Sequence, residues 1–256
     1  MSSDHLLFEQ KDNIATITLN RPKIMNAMSS EMTLGLYDTV MQLQSDKDTR
    51  IVIFKGAGEH FCSGADINLF DENTPSQEWL EAMQLVSKIV RTIRELHQPV
   101  ITMMRGVAVG AGSNVALASD FVIAADNARF CEIFINIGAI VDFGGHYFLP
   151  RLVGLAKARE LAMLGNEISG RQAADMGLIY KSVPEAELEK EVDVLVTQLL
   201  QKSAFALALI KEGLEKSFDR SLKEILDWEA SNQSIALKTP QHLEIVQAFK
   251  ELKGMK

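Results

Sequence analysis

The run from Arg105 to Gly154, RGVAVGAGSNVALASDFVIAADNARFCEIFINIGAIVDFGGHYFLPRLVG, constrains the fold more than any other stretch. An apolar, strand-like segment (Val100–Met104) leads into Gly106, Gly110 and Gly112, and an Ala-rich helical pattern then continues to Asp120. A strand that feeds a small-residue turn opening a helix leaves main-chain N–H groups without intrahelical partners, at the positive end of the helix dipole. Gly110, Ala111 and Gly112 let foreign atoms come close to that backbone. The run therefore predicts a place where main-chain donors meet developing negative charge.

The rest of the chain alternates strand and helix signals around it. Leu6–Gln10 and Ile14–Leu19 alternate apolar and polar residues about Lys11-Asp12-Asn13, which predicts a β-hairpin. Asn20-Arg21-Pro22-Lys23 breaks the second strand. Ser29 or Ser30 caps a helix with apolar positions at Met32, Leu36, Val40 and Leu43. Ile51–Phe54 reads as a buried strand, followed by a second small-residue turn, Phe61-Cys62-Ser63-Gly64-Ala65-Asp66-Ile67. A helix over Glu78–Leu96 ends at Pro99. Beyond the central run come helices over Lys157–Leu164 and Gly170–Met176, and a strand over Leu178–Val183. From Ala186 the pattern is helical, with stops at Ser203, Ser221 and Pro240. Such alternation predicts an α/β fold of crossover units with a helical C-terminal segment.

Composition narrows the function classes. A net charge of −8 argues against a general nucleic-acid binder, which needs a basic face. Cys62 and Cys131 lack metal-ligand spacing and read as reduced thiols, and the N-terminus lacks the charge and apolar pattern of a signal peptide. No apolar run approaches the roughly 20 residues that span a bilayer. A soluble, cytoplasmic protein without a membrane partner is the expectation.

The turns Ser63-Gly64-Ala65-Asp66 and Gly110-Ala111-Gly112, together with IGAIVDFGGHYFLPRLVG, resemble the crotonase superfamily, the enoyl-CoA hydratase/isomerase family. The likeness covers nearly the whole chain. It implies a spiral of ββα units over residues 1–195, which carries the CoA and oxyanion site. It also implies a helical region over residues 196–256 for oligomerisation and site closure, in a homotrimer or dimer of trimers. The amides of Ala65 and Ala111 would form the oxyanion hole for an acyl-CoA thioester. Main-chain groups of Ser63, Gly64, Ala65, Asp66 and Ile67 would take the adenine and pantetheine, with Gly110, Phe134 and Phe143 lining the acyl site. Arg21 and Lys23 are candidate phosphate partners, and Phe249 matches an aromatic that contacts CoA bound by a neighbouring subunit. No cofactor is implied, because coenzyme A is part of the substrate.

Hydratases of this family use two glutamates, and their positions here hold Asn114 and Phe134, neither of which transfers a proton. Asp142, in Ile140-Val141-Asp142-Phe143-Gly144-Gly145, instead resembles the base of the Asp-dependent acyl-CoA isomerases, such as the phenylacetate-pathway ring-opening isomerase. The expectation is a double-bond isomerase with Asp142 as its one base. The alternatives are hydration using Asp142 or Glu132, and a catalytically silent acyl-CoA-binding subunit. Asp142 also has an ordinary reading as the N-cap of the following helix. Glu132, two residues before Phe134 on an extended strand, would face the same side, although a surface or salt-bridged role is the commoner one for such a residue. Asn114 and His146 are further candidates: the first a substrate or water contact or a helix cap, the second a tuner of Asp142 or a surface side chain.

Overall fold

A computed structural model describes residues 4–253. The hairpin forms as the alternation predicts: β1 (Leu6–Lys11) pairs antiparallel with β2 (Ile14–Leu19). β3 (Ile51–Gly56) and β4 (Val100–Met104) add in parallel, followed by β6 (Phe121–Ala125) and β9 (Lys181–Val183), giving the sheet order β1-β2-β3-β4-β6-β9. A second sheet has the order β5-β7-β8, from β5 (Val107–Val109), β7 (Arg129–Cys131) and β8 (Glu167–Ser169). The two middle turns of the chain each send one strand to the large sheet and the next to the small one, then cross over by a helix. In this way β4 and β5 precede α3 (Ala111–Leu117), and β6 and β7 precede α4 (Gly145–Leu164).

The helices form where their caps and apolar stripes place them. α1 (Ser30–Ser45) starts from Ser29, whose hydroxyl accepts from the Met32 N–H at 3.1 Å, and buries Met32, Leu36, Val40 and Leu43. α2 (Ser76–Glu95) buries Val86, Ile89, Val90 and Ile93 against it. α5 (Gly170–Asp175) begins at a capping box between Ser169 and Gln172. α6 (Leu188–Leu200) buries Leu188, Val192, Leu195, Val196 and Leu199, so the boundary expected at residue 195 falls inside a core-packed helix. The stops at Ser203 and Ser221 are the N-caps of α7 (Ala204–Lys216) and α8 (Leu222–Ala236), and Pro240 opens α9 (Pro240–Leu252). Lys211 on α7 clamps that helix to the core, donating to Asp120 at 2.8 Å and to the carbonyls of Ile93 and Gln98. α8 and α9 bury no residue of their own.

The helix expected after Asp142 and the one expected over Lys157–Leu164 both form, joined as α4 across a break at Gly154, where φ is +72° and ψ +163°. One expectation differs from the structure. β7 stops at Cys131, and Glu132 opens a 3-10 turn over Ile133–Ile137, so Glu132 and Phe134 do not share a strand face.

No single helix among the described residues is long and apolar enough to cross a membrane.

Candidate active site

The two small-residue turns are zipped together by main-chain bonds. Phe61 and Cys62 donate to the carbonyls of Arg105 and Val107, each at 2.9 Å, and the Val109 N–H donates back to Cys62 at 3.0 Å. On the far side, Met28 donates to Gly64 at 2.8 Å, and Asp66 donates to Met28 at 2.9 Å. Two glycines make the approach this close. A Cβ on Gly112 would stand 2.5 Å from the Cys62 carbonyl oxygen and 2.7 Å from its Cβ. One on Gly64, where φ is +99°, would stand 2.8 Å from the Val109 carbonyl oxygen and 3.9 Å from the Ala111 nitrogen. Gly64, the residue before Ala65, thus lies against the backbone that leads into Ala111. Neither the Ala65 nor the Ala111 N–H donates to a protein acceptor among the described residues.

Arg21 and Asp66 support the first turn. The Arg21 guanidinium donates to Asp66 and to the Ala27 carbonyl, both at 2.7 Å. Asp66 also accepts from the Asn68 N–H and side-chain amide, and these partners, the Arg21 bond foremost, hold its carboxyl below the usual range. This corrects the expectation of Arg21 as a free phosphate partner: its charge is already neutralised within the turn. Lys23 is exposed, Ser63 donates to the Ile24 carbonyl at 3.3 Å, and Ile67 is exposed beyond the turn. Asn26, which the sequence reading did not single out, is a buried strut in the left-handed region. Its amide donates to the carbonyls of Ala57 and His60, and its oxygen accepts from the Arg21 N–H. The only sequence signal for it is that Asn tolerates such a backbone.

The second turn meets the carboxylates. Asn114, buried on α3, donates to Glu132 Oε2 at 3.1 Å and to the main-chain carbonyl of Asp142 at 2.9 Å. The side chain ties α3 to the loop that carries Asp142. Glu132 is 1% exposed and has no salt-bridge partner among the described residues, contrary to the surface role expected of it, because α3 and the 139–145 loop close over it. Burial pushes its carboxyl up to about 8, with the Asp142 charge adding to the shift and the Asn114 bond opposing it.

Asp142 is half-buried, and burial pushes its carboxyl up to about 6. It does not cap α4 with its side chain. Gly144 occupies the cap position, and the Asp142 main-chain carbonyl accepts from the Gly145 N–H at 3.0 Å. The carboxylate is therefore free of the structural role the sequence also allowed. Phe143, at φ +47°, and Phe134 are both buried, and Phe134 lies against Gly110. His146 is exposed on the first turn of α4. Phe249 is 56% exposed on α9, with the Lys253 ammonium 4.8 Å from its ring centre. A cavity of about 830 Å³ lies beyond Phe143 and Gly144, walled by Val86, Val90, Phe148 and α7.

The two turns thus carry main-chain N–H groups at Ala65 and Ala111 without a protein acceptor among the described residues, and Asn114 ties α3 to the loop that bears the half-buried Asp142. The chain belongs to the enoyl-CoA hydratase/isomerase family, whose model matches residues 9–255. It is 34% identical over 249 residues to the 1,2-epoxyphenylacetyl-CoA isomerase of Escherichia coli, covering 96% of this chain and 95% of the relative. It is 32% identical over 252 residues to a crotonyl-CoA hydratase of Syntrophomonas wolfei, covering 98% and 96%. The crystal structure of an enoyl-CoA hydratase from Bacillus anthracis superposes with a TM-score of 0.91 at 30% identity, covering 96% of each chain. The fold is the crotonase fold, and its relatives include both isomerases and hydratases.

Proposed function

We propose that this protein is an acyl-CoA isomerase that shifts a double bond, or performs a related enolate rearrangement, in an enoyl-CoA thioester. The observation that carries this reading is Asp142: a half-buried carboxylate, not spent on a cap, in a loop that Asn114 ties to the helix bearing Ala111. In the forward step Asp142 takes a proton from a carbon conjugated to the thioester. The electron pair moves onto the thioester oxygen, where the amides of Ala65 and Ala111 stabilise the charge. Collapse of the enolate returns the same proton from Asp142 to a different carbon. Main-chain donors of this kind contribute roughly 3–4 kcal/mol each to such a transition state. No activated water enters, and Phe134 and Phe143 help to exclude it.

CoA binds along Ser63–Ile67, with Lys23 near its phosphates, and no cofactor takes part. The uncovered apolar residues Leu222, Leu226, Ile235 and Leu243 of α8 and α9 support assembly as a homotrimer or dimer of trimers. In that assembly Phe249 reaches CoA held by a neighbouring subunit.

Hydration through Asp142 or Glu132 is the second reading, favoured by the closeness of Glu132 to Asn114. The test is incubation with 3-enoyl-CoA and 2-enoyl-CoA in deuterated water, with products followed by mass. Double-bond migration without mass gain by water, abolished in Asp142→Asn at nearly unchanged acyl-CoA affinity, is the expected result. Mass gain by water would replace isomerisation with hydration, and tight CoA binding without turnover would make this a silent subunit.

A further inference from the structure

Three buried side-chain oxygens around Asn114 have no protein hydrogen-bond partner among the described residues: Asn114 Oδ1, Glu132 Oε1 and Asp142 Oδ1. With both carboxyls ionised, all three are acceptors, and acceptors cannot satisfy one another. Asn114 spends its amide hydrogens on Glu132 Oε2 and on the Asp142 carbonyl. The amide is also fixed in place, since a Cβ on Gly145 would lie 2.6 Å from its nitrogen and 2.7 Å from its oxygen. A primary amide and a neutral carboxylic acid form a two-point pair, N–H to C=O and O–H to the amide oxygen. The first of these bonds is present. One proton on Glu132 Oε1 supplies the second, and it satisfies two of the three orphaned atoms at once.

We propose that Glu132 is a positioning residue that acts as a neutral carboxylic acid, paired at two points with the Asn114 amide so that the remaining Asn114 N–H holds the Asp142 carbonyl, and with it the base, in place. The inference rests on the reading of Asp142 as the base. Electrostatics agrees with it. Asp142 ionises at about 6, and its charge helps to keep Glu132 neutral up to about 8. Between those values the base is charged while the acid keeps its proton.

The groups around Glu132 add no cation. α3 presents the uncharged Asn114, and the loop presents Asp142. β7 presents the Cys131 thiol, pushed up to about 11 chiefly by burial, with Glu167 of β8 beyond it. His146 on α4 is exposed. Ionising Glu132 sets a carboxylate oxygen against the amide oxygen and breaks the pair.

The test is a comparison of pH profiles on the full-length protein. Wild-type kcat falls above about pH 8, by about tenfold at pH 9 if only the neutral acid supports turnover. Glu132→Ala lowers kcat on the order of 10–100-fold at neutral pH with little change in KM, as expected of a misplaced base. Glu132→Gln reproduces the donor and acceptor pattern without titrating, so it restores kcat relative to Glu132→Ala and abolishes the alkaline fall. An alkaline fall unchanged in Glu132→Gln, or a Glu132→Gln enzyme as poor as Glu132→Ala, overturns the proposal. Infrared difference spectra of protein carrying 13C-labelled glutamate read the same proton without turnover. A protonated-acid C=O band at neutral pH, absent in Glu132→Gln, is expected. Its absence from the wild type overturns the proposal, whereas its presence in a protein that isomerises no acyl-CoA supports the neutral acid and overturns the isomerase reading instead.

Discussion

Gly112→Ala is the substitution that bears most directly on how the two small-residue turns are held. The added methyl would meet the Cys62 carbonyl oxygen at 2.5 Å, its Cβ at 2.7 Å and its Sγ at 2.9 Å. Two of these three atoms belong to the zipped main chain or lie next to it, and Cys62 is fully buried, so a rotamer change cannot make room. α3 must shift outward by roughly 1 Å to restore ordinary contact, at a cost of about 1–3 kcal/mol. For a chain of this length that is a fall of roughly 2–4 °C in Tm per kcal/mol.

Under the proposed function Ala111, the residue before Gly112, supplies one oxyanion donor, so the same shift would take that N–H away from the thioester oxygen. Loss of one such donor lowers kcat about 10²–10³-fold. The control is Gly154→Ala, where no atom would lie within 4 Å of the methyl but φ is +72°. Backbone strain there costs a similar 1–3 kcal/mol or so, away from both turns. Thermal unfolding and steady-state kinetics on both variants are the assay. The expected result is comparable loss of Tm with loss of kcat in Gly112→Ala alone. Wild-type kcat in a folded Gly112→Ala enzyme would refute the reasoning that this contact sets the oxyanion geometry.

Two further outcomes follow from the charges. Because burial raises the Asp142 carboxyl to about 6 and the base must be ionised, kcat/KM should fall about tenfold per pH unit below that value, measured under conditions where the protein stays folded. Arg21→Ala should destabilise the protein by about 1–3 kcal/mol at neutral pH, since it removes a hydrogen bond to a charged group. Arg21 lowers the folded-state pKa of Asp66, so that stability is present above the ordinary carboxylate range and lost as pH falls below it. Denaturant titrations of wild type and variant should therefore converge in acid, and a pH-independent difference would show that Arg21 acts by packing instead.

Much of the fold was legible because the strong signals are local ones. The hairpin, α1, α2 and the caps at Ser203 and Ser221 follow from alternation, 3.6-residue periodicity and hydroxyl caps within a few residues. The three-residue strands β5, β7 and β8 are too short to show a period, and β6 is apolar throughout. At the site, the small-residue turns marked where backbones meet, and the loop sequence marked Asp142. The sequence did not reveal that Arg21 is spent on Asp66, 45 residues away, or that Asn114 pairs with a buried Glu132. Both are long-range polar contacts, and periodicity carries no information about which polar side chain finds which partner. Glu132 misled for a further reason: a lone Glu in an apolar run is ordinarily turned to water, and here a 3-10 turn rotates it inward.

A crystal structure of the Asp142→Asn protein with bound enoyl-CoA tests the central claim most directly. The account predicts the thioester oxygen within hydrogen-bond distance of the amides of both Ala65 and Ala111, with residue 142 facing the carbons between which the proton moves. A thioester oxygen turned away from either amide, or an acyl chain beyond the reach of residue 142, would contradict it.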